Sequence, residues 1–157
     1  MNPKANQENS NIERSALPGT SGAEQVASAI IFFDGECNLC NGFIDWVLRR
    51  DSQRRFYIAS LQGKTARARL TDRLNDEQWL KSVVLWEDGE MWLEDEAVLK
   101  VLARLPGFIW LAQVLGWLPR SLRVATYRWV ARHRLAWFGR RNTCRIPGPD
   151  ETARFLP

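Results

Sequence analysis

The order of apolar and polar positions divides the chain into a polar leader, an alternating run of strands and helices, and a helical end. Residues 1–28 hold no apolar cluster and are rich in Asn, Ser, Gly, Glu and Ala. Such a segment buries too little surface to offset its chain entropy and is expected to be a disordered tail. From Ala29 to Phe33 every residue is apolar. A half-exposed strand would alternate, so this run predicts a strand covered on both faces. Asp34-Gly35 breaks it with turn chemistry. Cys40, Phe43, Ile44, Val47 and Leu48 then recur at i, i+3, i+4, i+7 and i+8, one stripe of an amphipathic helix. It closes on Arg49-Arg50, where the helix dipole favours cations.

Farther along, Arg55 to Ile58 predicts a second strand, Thr65 to Leu74 a short polar helix with Leu70 and Leu74 inward, and Ser82 to Trp86 a β-branched third strand. Asp88-Gly89 is the favoured two-residue hairpin turn, and Met91-Trp92-Leu93 returns as a fourth strand. Asp95-Glu96 opens a helix with the charge that suits its N-terminus. Ala97, Val98, Val101, Leu102 and Leu105 form its stripe, and Pro106-Gly107 ends it. The order β-α-β-α-β-β-α, a crossover followed by a hairpin and a packing helix, is the α/β arrangement of a thioredoxin-like core. Phe108 to Leu118 is apolar on nearly all sides and is expected to be buried or interfacial. Pro119 starts a last helix whose expected apolar stripe is Leu122, Trp129, Val130 and Trp137. The reading is one domain over 29–147, C-terminal helices included, with 148–157 as a tail.

Composition narrows the class. A chain of 157 residues with 45% hydrophobic content holds one core. Three cysteines are too few, and odd in number, for a disulfide-stapled secreted scaffold. The leader lacks the charged start and apolar centre of a secretory signal, and no run reaches the eighteen or so apolar residues of a membrane span. The expected compartment is the cytoplasm. Charge is split along the chain: residues 1–96 carry 16 Asp+Glu against 11 Lys+Arg, whereas Ala97 to Pro149 carries 10 Lys+Arg and no carboxylate. A basic half of this kind suggests an acidic partner or an anionic membrane surface. The aromatic spacing offers no base-stacking platform, so no nucleic acid is expected.

The candidate chemistry sits at the start of the first helix. Cys37 and Cys40 are three apart, directly after a central strand. Unpaired N–H groups and the helix dipole stabilise a thiolate there. Cys40 falls on the apolar stripe, so Cys37 is assigned as the exposed attacking thiol and Cys40 as the more buried resolving thiol. Asp34 and Glu36 oppose ionisation, which predicts a moderate lowering at Cys37. The competing reading is a metal-binding or docking module in which Cys144 and His133 complete a site with the pair. Cys144, in a Gly/Pro-flanked tail, stands as either a structural or a third redox thiol.

Phe33-Asp34-Gly35-Glu36-Cys37-Asn38-Leu39-Cys40-Asn41 resembles the signature of the DCC family of thiol-disulfide oxidoreductases, named for its Asp-x-x-Cys-x-x-Cys motif. The likeness extends to Arg50-Asp51, Ile58 to Gln62, Ser82-Val83-Val84, Ala97-Val98-Leu99, Leu118-Pro119-Arg120, Tyr127, Ala131, Arg134, Trp137-Phe138-Gly139 and Cys144. The resemblance implies a thioredoxin-like fold and a protein-disulfide oxidoreductase without a cofactor. Its substrates would be protein or small-molecule disulfides, with thioredoxin or glutathione as candidate reductants. Its motif falls on Asp34, Cys37 and Cys40, with Asp34 as a proton acceptor for Cys40 or simply the turn-former that ends the strand. Departures are Lys81-Ser82 where thioredoxins place a proline, Asn38-Leu39 between the cysteines, and Asp95 where the family pattern has serine.

Overall fold

The computed structural model describes residues 29–75, 83–140, 147–149 and 151–157. At its centre β1 (Ala29–Phe33) lies between β2 (Phe56–Ser60), a parallel neighbour, and β3 (Val84–Glu87), an antiparallel one. β4 (Glu90–Leu93) pairs with β3 and β5 (Phe155–Leu156) with β2, giving the order β4-β3-β1-β2-β5. Ile31 is level with Ile58 on one side and Leu85 on the other. Alternate side chains of β1 leave for opposite faces. Ala29, Ile31 and Phe33 join a cluster with α1 (Asn38–Arg50) and α3 (Glu94–Arg104); Ile30 and Phe32 join a smaller one with α2 (Lys64–Leu70). Covering both faces explains the unbroken apolar run. The thioredoxin-like α/β core with a C-terminal helical extension is therefore the observed architecture.

Local chemistry sets the boundaries. Asp88 and Gly89 have φ of 50° and 81°, the pair of positive values that a tight hairpin with right-handed strand twist requires. α2 stops at Leu70, short of the expected Leu74, and the chain beyond it closes in a turn in which the Leu70 carbonyl accepts the N–H groups of both Arg73 and Leu74. Lys81 and Ser82, at the expected start of the third strand, lie outside the described residues.

Residues 148–157, read from sequence as a tail, contribute β5. A two-residue strand has no periodicity to read. What fixes it is an ion pair: Asp51, the C-cap of α1 and 2% exposed, accepts the N–H groups of Arg55 at 3.0 Å and Phe56 at 3.1 Å and receives the Arg154 guanidinium. Arg154 also donates to the Phe56 carbonyl at 3.1 and 3.2 Å.

The two helices beyond the core correct the sequence expectation. α4 (Ile109–Trp117) packs along α3, yet none of its residues is buried, and Trp117 is 93% exposed. Its composition is apolar all round, so nothing in the pattern told the packed side from the open one. α5 (Arg120–Phe138) presents Leu122, Trp129 and Trp137 outward, each about half exposed. Its inward face is Arg123, Tyr127, Val130, Ala131 and Arg134, so of the expected stripe Val130 alone turns inward. Polar side chains can face inward here because their counter-charges wait on neighbouring elements. Arg134 meets Asp34 at 2.8 Å, Arg123 meets Asp95 at 3.5 Å, Arg128 meets Glu94 at 3.2 Å, Arg120 meets Glu96 at 3.3 Å, and Arg104 meets Glu87. The carboxylate-free half thus finds partners in the acidic half, and Asp95 has its reason in Arg123. Among the described residues no helix is long and apolar enough to cross a membrane.

Because Asp51 and Arg154 are buried together, Arg154→Met should leave an uncompensated carboxylate and lower the unfolding free energy by about 3 kcal/mol. Asp51→Asn with Arg154→Met should cost clearly less than the sum of the two single changes. Urea unfolding midpoints read both effects; additive losses would show that the pair does not anchor β5.

Candidate active site

The turn after β1 is built around the Asp34 carboxylate. Its Oδ1 accepts the Glu36 N–H at 3.0 Å and a Gln62 side-chain N–H at 3.1 Å, and its Oδ2 accepts from Arg134 Nη2 at 2.8 Å. The turn delivers Cys37 to the N-cap of α1 in extended conformation, φ −92° and ψ 120°. There its sulfur accepts the Cys40 N–H at 3.4 Å, the capping contact that an oxygen side chain usually makes. Asn41, 2% exposed, locks the turn to the helix by donating to the carbonyls of Gly35 at 2.9 Å and Cys37 at 2.8 Å.

Both cysteines are free thiols and both are buried. Cys40 is buried as expected, but the expected exposure of Cys37 is not found: Cys37 is 0% exposed and Cys40 6%. The cover over Cys37 is the end of α5. Asn38 donates its side-chain N–H to the Phe138 carbonyl at 2.8 Å and its backbone N–H to Gly139 at 3.5 Å, and Cys37 forms an antiparallel bridge with Arg140. Gly139 makes this approach with φ of 75°, a conformation suited to glycine. Cys40 lies against α5 one turn deeper, with Arg134 Nη1 3.8 Å from its sulfur.

These contacts separate the two thiols electrically. Cys37 is lowered from the ordinary 9.0 to about 6. The Cys40 thiol donating to it contributes most, and the Cys40 and Leu39 backbone N–H groups and the Arg134 charge add to this against the opposing cost of burial. Cys40 moves the other way, pushed up first by giving its hydrogen bond to Cys37 and then by burial, with the nearby Asp34 charge acting in the same direction. Tyr127, whose hydroxyl accepts the Val83 N–H at 3.0 Å, is raised to about 12 by burial and stays protonated.

The sequence-assigned Asp34, Cys37 and Cys40 are therefore brought together, and Arg134 joins them from 100 residues away. In the sequence Arg134 is one of the residues that carry the family resemblance, with no role in the site assigned to it. The usable signal was its phase: Tyr127, Ala131 and Arg134 recur at i, i+4 and i+7, a face distinct from the tryptophan stripe. His133 is on that other face, exposed, its Nδ1 2.8 Å from the Trp129 carbonyl and its ring stacked on Trp137. It does not converge with the cysteines, and Cys144 lies outside the described residues. Among the described residues no group of three or more His, Cys, Asp or Glu is placed to hold a metal ion.

Removing the Arg134 charge should raise the Cys37 thiolate midpoint. Ultraviolet thiolate absorbance of reduced Cys144→Ser protein should fall as pH drops through about 6, and in Arg134→Gln that fall should occur at higher pH. Since a lowered folded-state value stabilises above the unfolded value and is lost as pH falls through the folded one, this thiol's contribution to stability should decline from pH 9 to pH 6. An unchanged midpoint in Arg134→Gln would remove the guanidinium from the electrostatics of Cys37.

Comparison with known proteins bears on this geometry. A family model described as DCC1-like thiol-disulfide oxidoreductase matches residues 31–140. The uncharacterized protein YuxK of Bacillus subtilis is 33% identical over 135 residues, covering 86% of this chain and 98% of that protein. The DCC family protein At1g52590, chloroplastic, of Arabidopsis thaliana is 34% identical over 124 residues, covering 78% of this chain and 72% of that one. No solved structure gives a significant match.

Proposed function

We infer, for a chain that belongs to the DCC1-like thiol-disulfide oxidoreductase family, that Cys37 and Cys40 form a dithiol-disulfide couple acting on substrate disulfides. The observation that carries the reading is the placement of the pair. Cys37 is the N-cap of α1, and its sulfur accepts the Cys40 N–H at 3.4 Å. The Arg134 guanidinium lies 3.8 Å from the Cys40 sulfur, an arrangement that lowers one thiol and raises the other. A thiolate at Cys37 attacks one sulfur of the substrate disulfide. A new S–S bond forms, the substrate bond breaks, and the released half leaves as a thiolate that takes up a proton. Cys40 then loses its proton and displaces the second half from Cys37. The protein ends with a Cys37–Cys40 disulfide, and the substrate has gained two electrons and two protons.

Asp34 fits this sequence as the acceptor of the Cys40 proton by way of a water admitted to the opened site, because the Arg134 guanidinium between them carries only donors and passes no proton. Arg134 fits as the residue that holds charge beside both thiols. Attack on a protein disulfide requires the Gly139–Arg140 turn to move off Cys37, because no surface of that residue is open. The same couple requires a reductant, and thioredoxin or glutathione systems of the cytoplasm are the partners this reading assigns. Docking on an anionic membrane, expected from the charge split, loses much of that argument to the internal ion pairs; the exposed apolar sides of α4 and α5 are what support it.

Cys37→Ser should abolish disulfide reduction, whereas Cys40→Ser should accumulate a mixed disulfide visible by intact mass. Redox titration of Cys144→Ser protein in glutathione buffers should give one two-electron transition, roughly between −220 and −320 mV if the protein works as a reductase against the cytosolic pool. Full activity in both single variants, or no transition, would refute the couple.

A further inference from the structure

Between α1, α3 and α5 lies a cavity of about 190 Å³ walled by Leu39, Phe43, Val83, Val98, Val130 and Ala131. Cys40, Tyr127 and Arg134 complete its lining. The polar groups among them are already engaged: the Tyr127 hydroxyl holds the Val83 N–H at 3.0 Å, and the Arg134 guanidinium is neutralised by Asp34 at 2.8 Å. The lining is therefore mostly apolar, without a free counter-charge, and a cysteine borders it. Of the two cysteines, the one on this cavity is also the one with any exposure, 6% against 0%. An apolar cavity of about 150 Å³ stays dry and admits benzene, so this one has room for a substituted ring.

We propose that the cavity is a substrate subsite for an apolar group of single-ring size, attached to the sulfur that exchanges with the dithiol. The proposal rests on the oxidoreductase reading and names its substrate class: disulfides bearing an aromatic or branched aliphatic group, in preference to charged ones such as glutathione disulfide. A charged group entering would lose its hydration against walls that return no hydrogen bond. An apolar group releases water and gains contact, and its binding brings the substrate disulfide to the dithiol before exchange.

The test uses the reduced full-length chain. Toluene is titrated while the methyl resonances of Val83, Val98 and Val130 are followed, and exchange is measured separately on benzyl 2-hydroxyethyl disulfide and on glutathione disulfide. Saturable methyl shifts are expected, with kcat/KM at least tenfold higher for the benzyl compound. Both the shifts and the preference should shrink in Ala131→Leu and, from another helix, in Val98→Phe; thermal unfolding selects whichever variant keeps its fold. Absence of methyl shifts in the unaltered protein, or a kcat/KM ratio at or below one, would overturn the subsite. Methyl shifts without exchange on either disulfide would instead overturn the oxidoreductase reading, and with it the substrate role of the cavity.

Discussion

The ion pair between Asp34 and Arg134 ties the end of the central strand to the last helix, and the rest of the site follows from it. The two side chains are only 11% and 6% exposed, so each has surrendered most of its hydration to meet the other. Such a pair adds little net stability over an apolar replacement, but removing one partner alone costs about 3–5 kcal/mol. Its value is positional. With Nη2 on Asp34, the fork of the guanidinium places Nη1 3.8 Å from the Cys40 sulfur. Asp34 in turn fixes the turn that carries Cys37, through the Glu36 N–H and Gln62. One carboxylate thus sets both the backbone that carries Cys37 and the charge beside the pair.

The same logic extends over the whole extension. A carboxylate-free half would repel itself if left alone, and α5 would have no reason to turn arginines inward. Docked, it matches Arg123, Arg128 and Arg134 to Asp95, Glu94 and Asp34, and Tyr127 caps the otherwise free N–H of Val83. The exposed pairs contribute at most about 1 kcal/mol each, and their worth is register rather than strength. They hold α5 in the one rotation that puts Ala131 and Val130 over the cavity and Arg134 over the thiols.

This division explains what could be read from sequence. The strand-turn-helix start, the hairpin and the packing helix all follow from local periodicity and turn chemistry, and the two thiols were located by their place at a helix start. The N-terminal boundary of α3 and both central strands are within a residue or two of the expectation. What could not be read is what depends on long-range charge. The rotation of α5 was misjudged because Leu122, Trp129 and Trp137 look like a core stripe, whereas the true contact face takes its register from ion pairs 28 to 100 residues apart in the chain. β5 escaped for a similar reason: Phe155-Leu156 has no pattern, and Asp51 holds it in place through Arg154.

Reactivity and access are placed on different sulfurs. Cys37 carries the lowered pKa but lies sealed beneath Gly139–Arg140; Cys40 carries the raised one but borders the cavity. The seal is weak relative to the core beneath it. Among the described residues it is made by two contacts from Asn38, one of them long at 3.5 Å, and the Cys37–Arg140 bridge, with a glycine at the bend. Each such hydrogen bond is worth about 0.5–1.5 kcal/mol net, less than the apolar packing of the core beneath. Cys37 is thus covered by the chain and bridged to Arg140. The cavity lies beside Cys40 while the chain covers Cys37, so on the proposed reading an apolar group could be seated before Cys37 is uncovered.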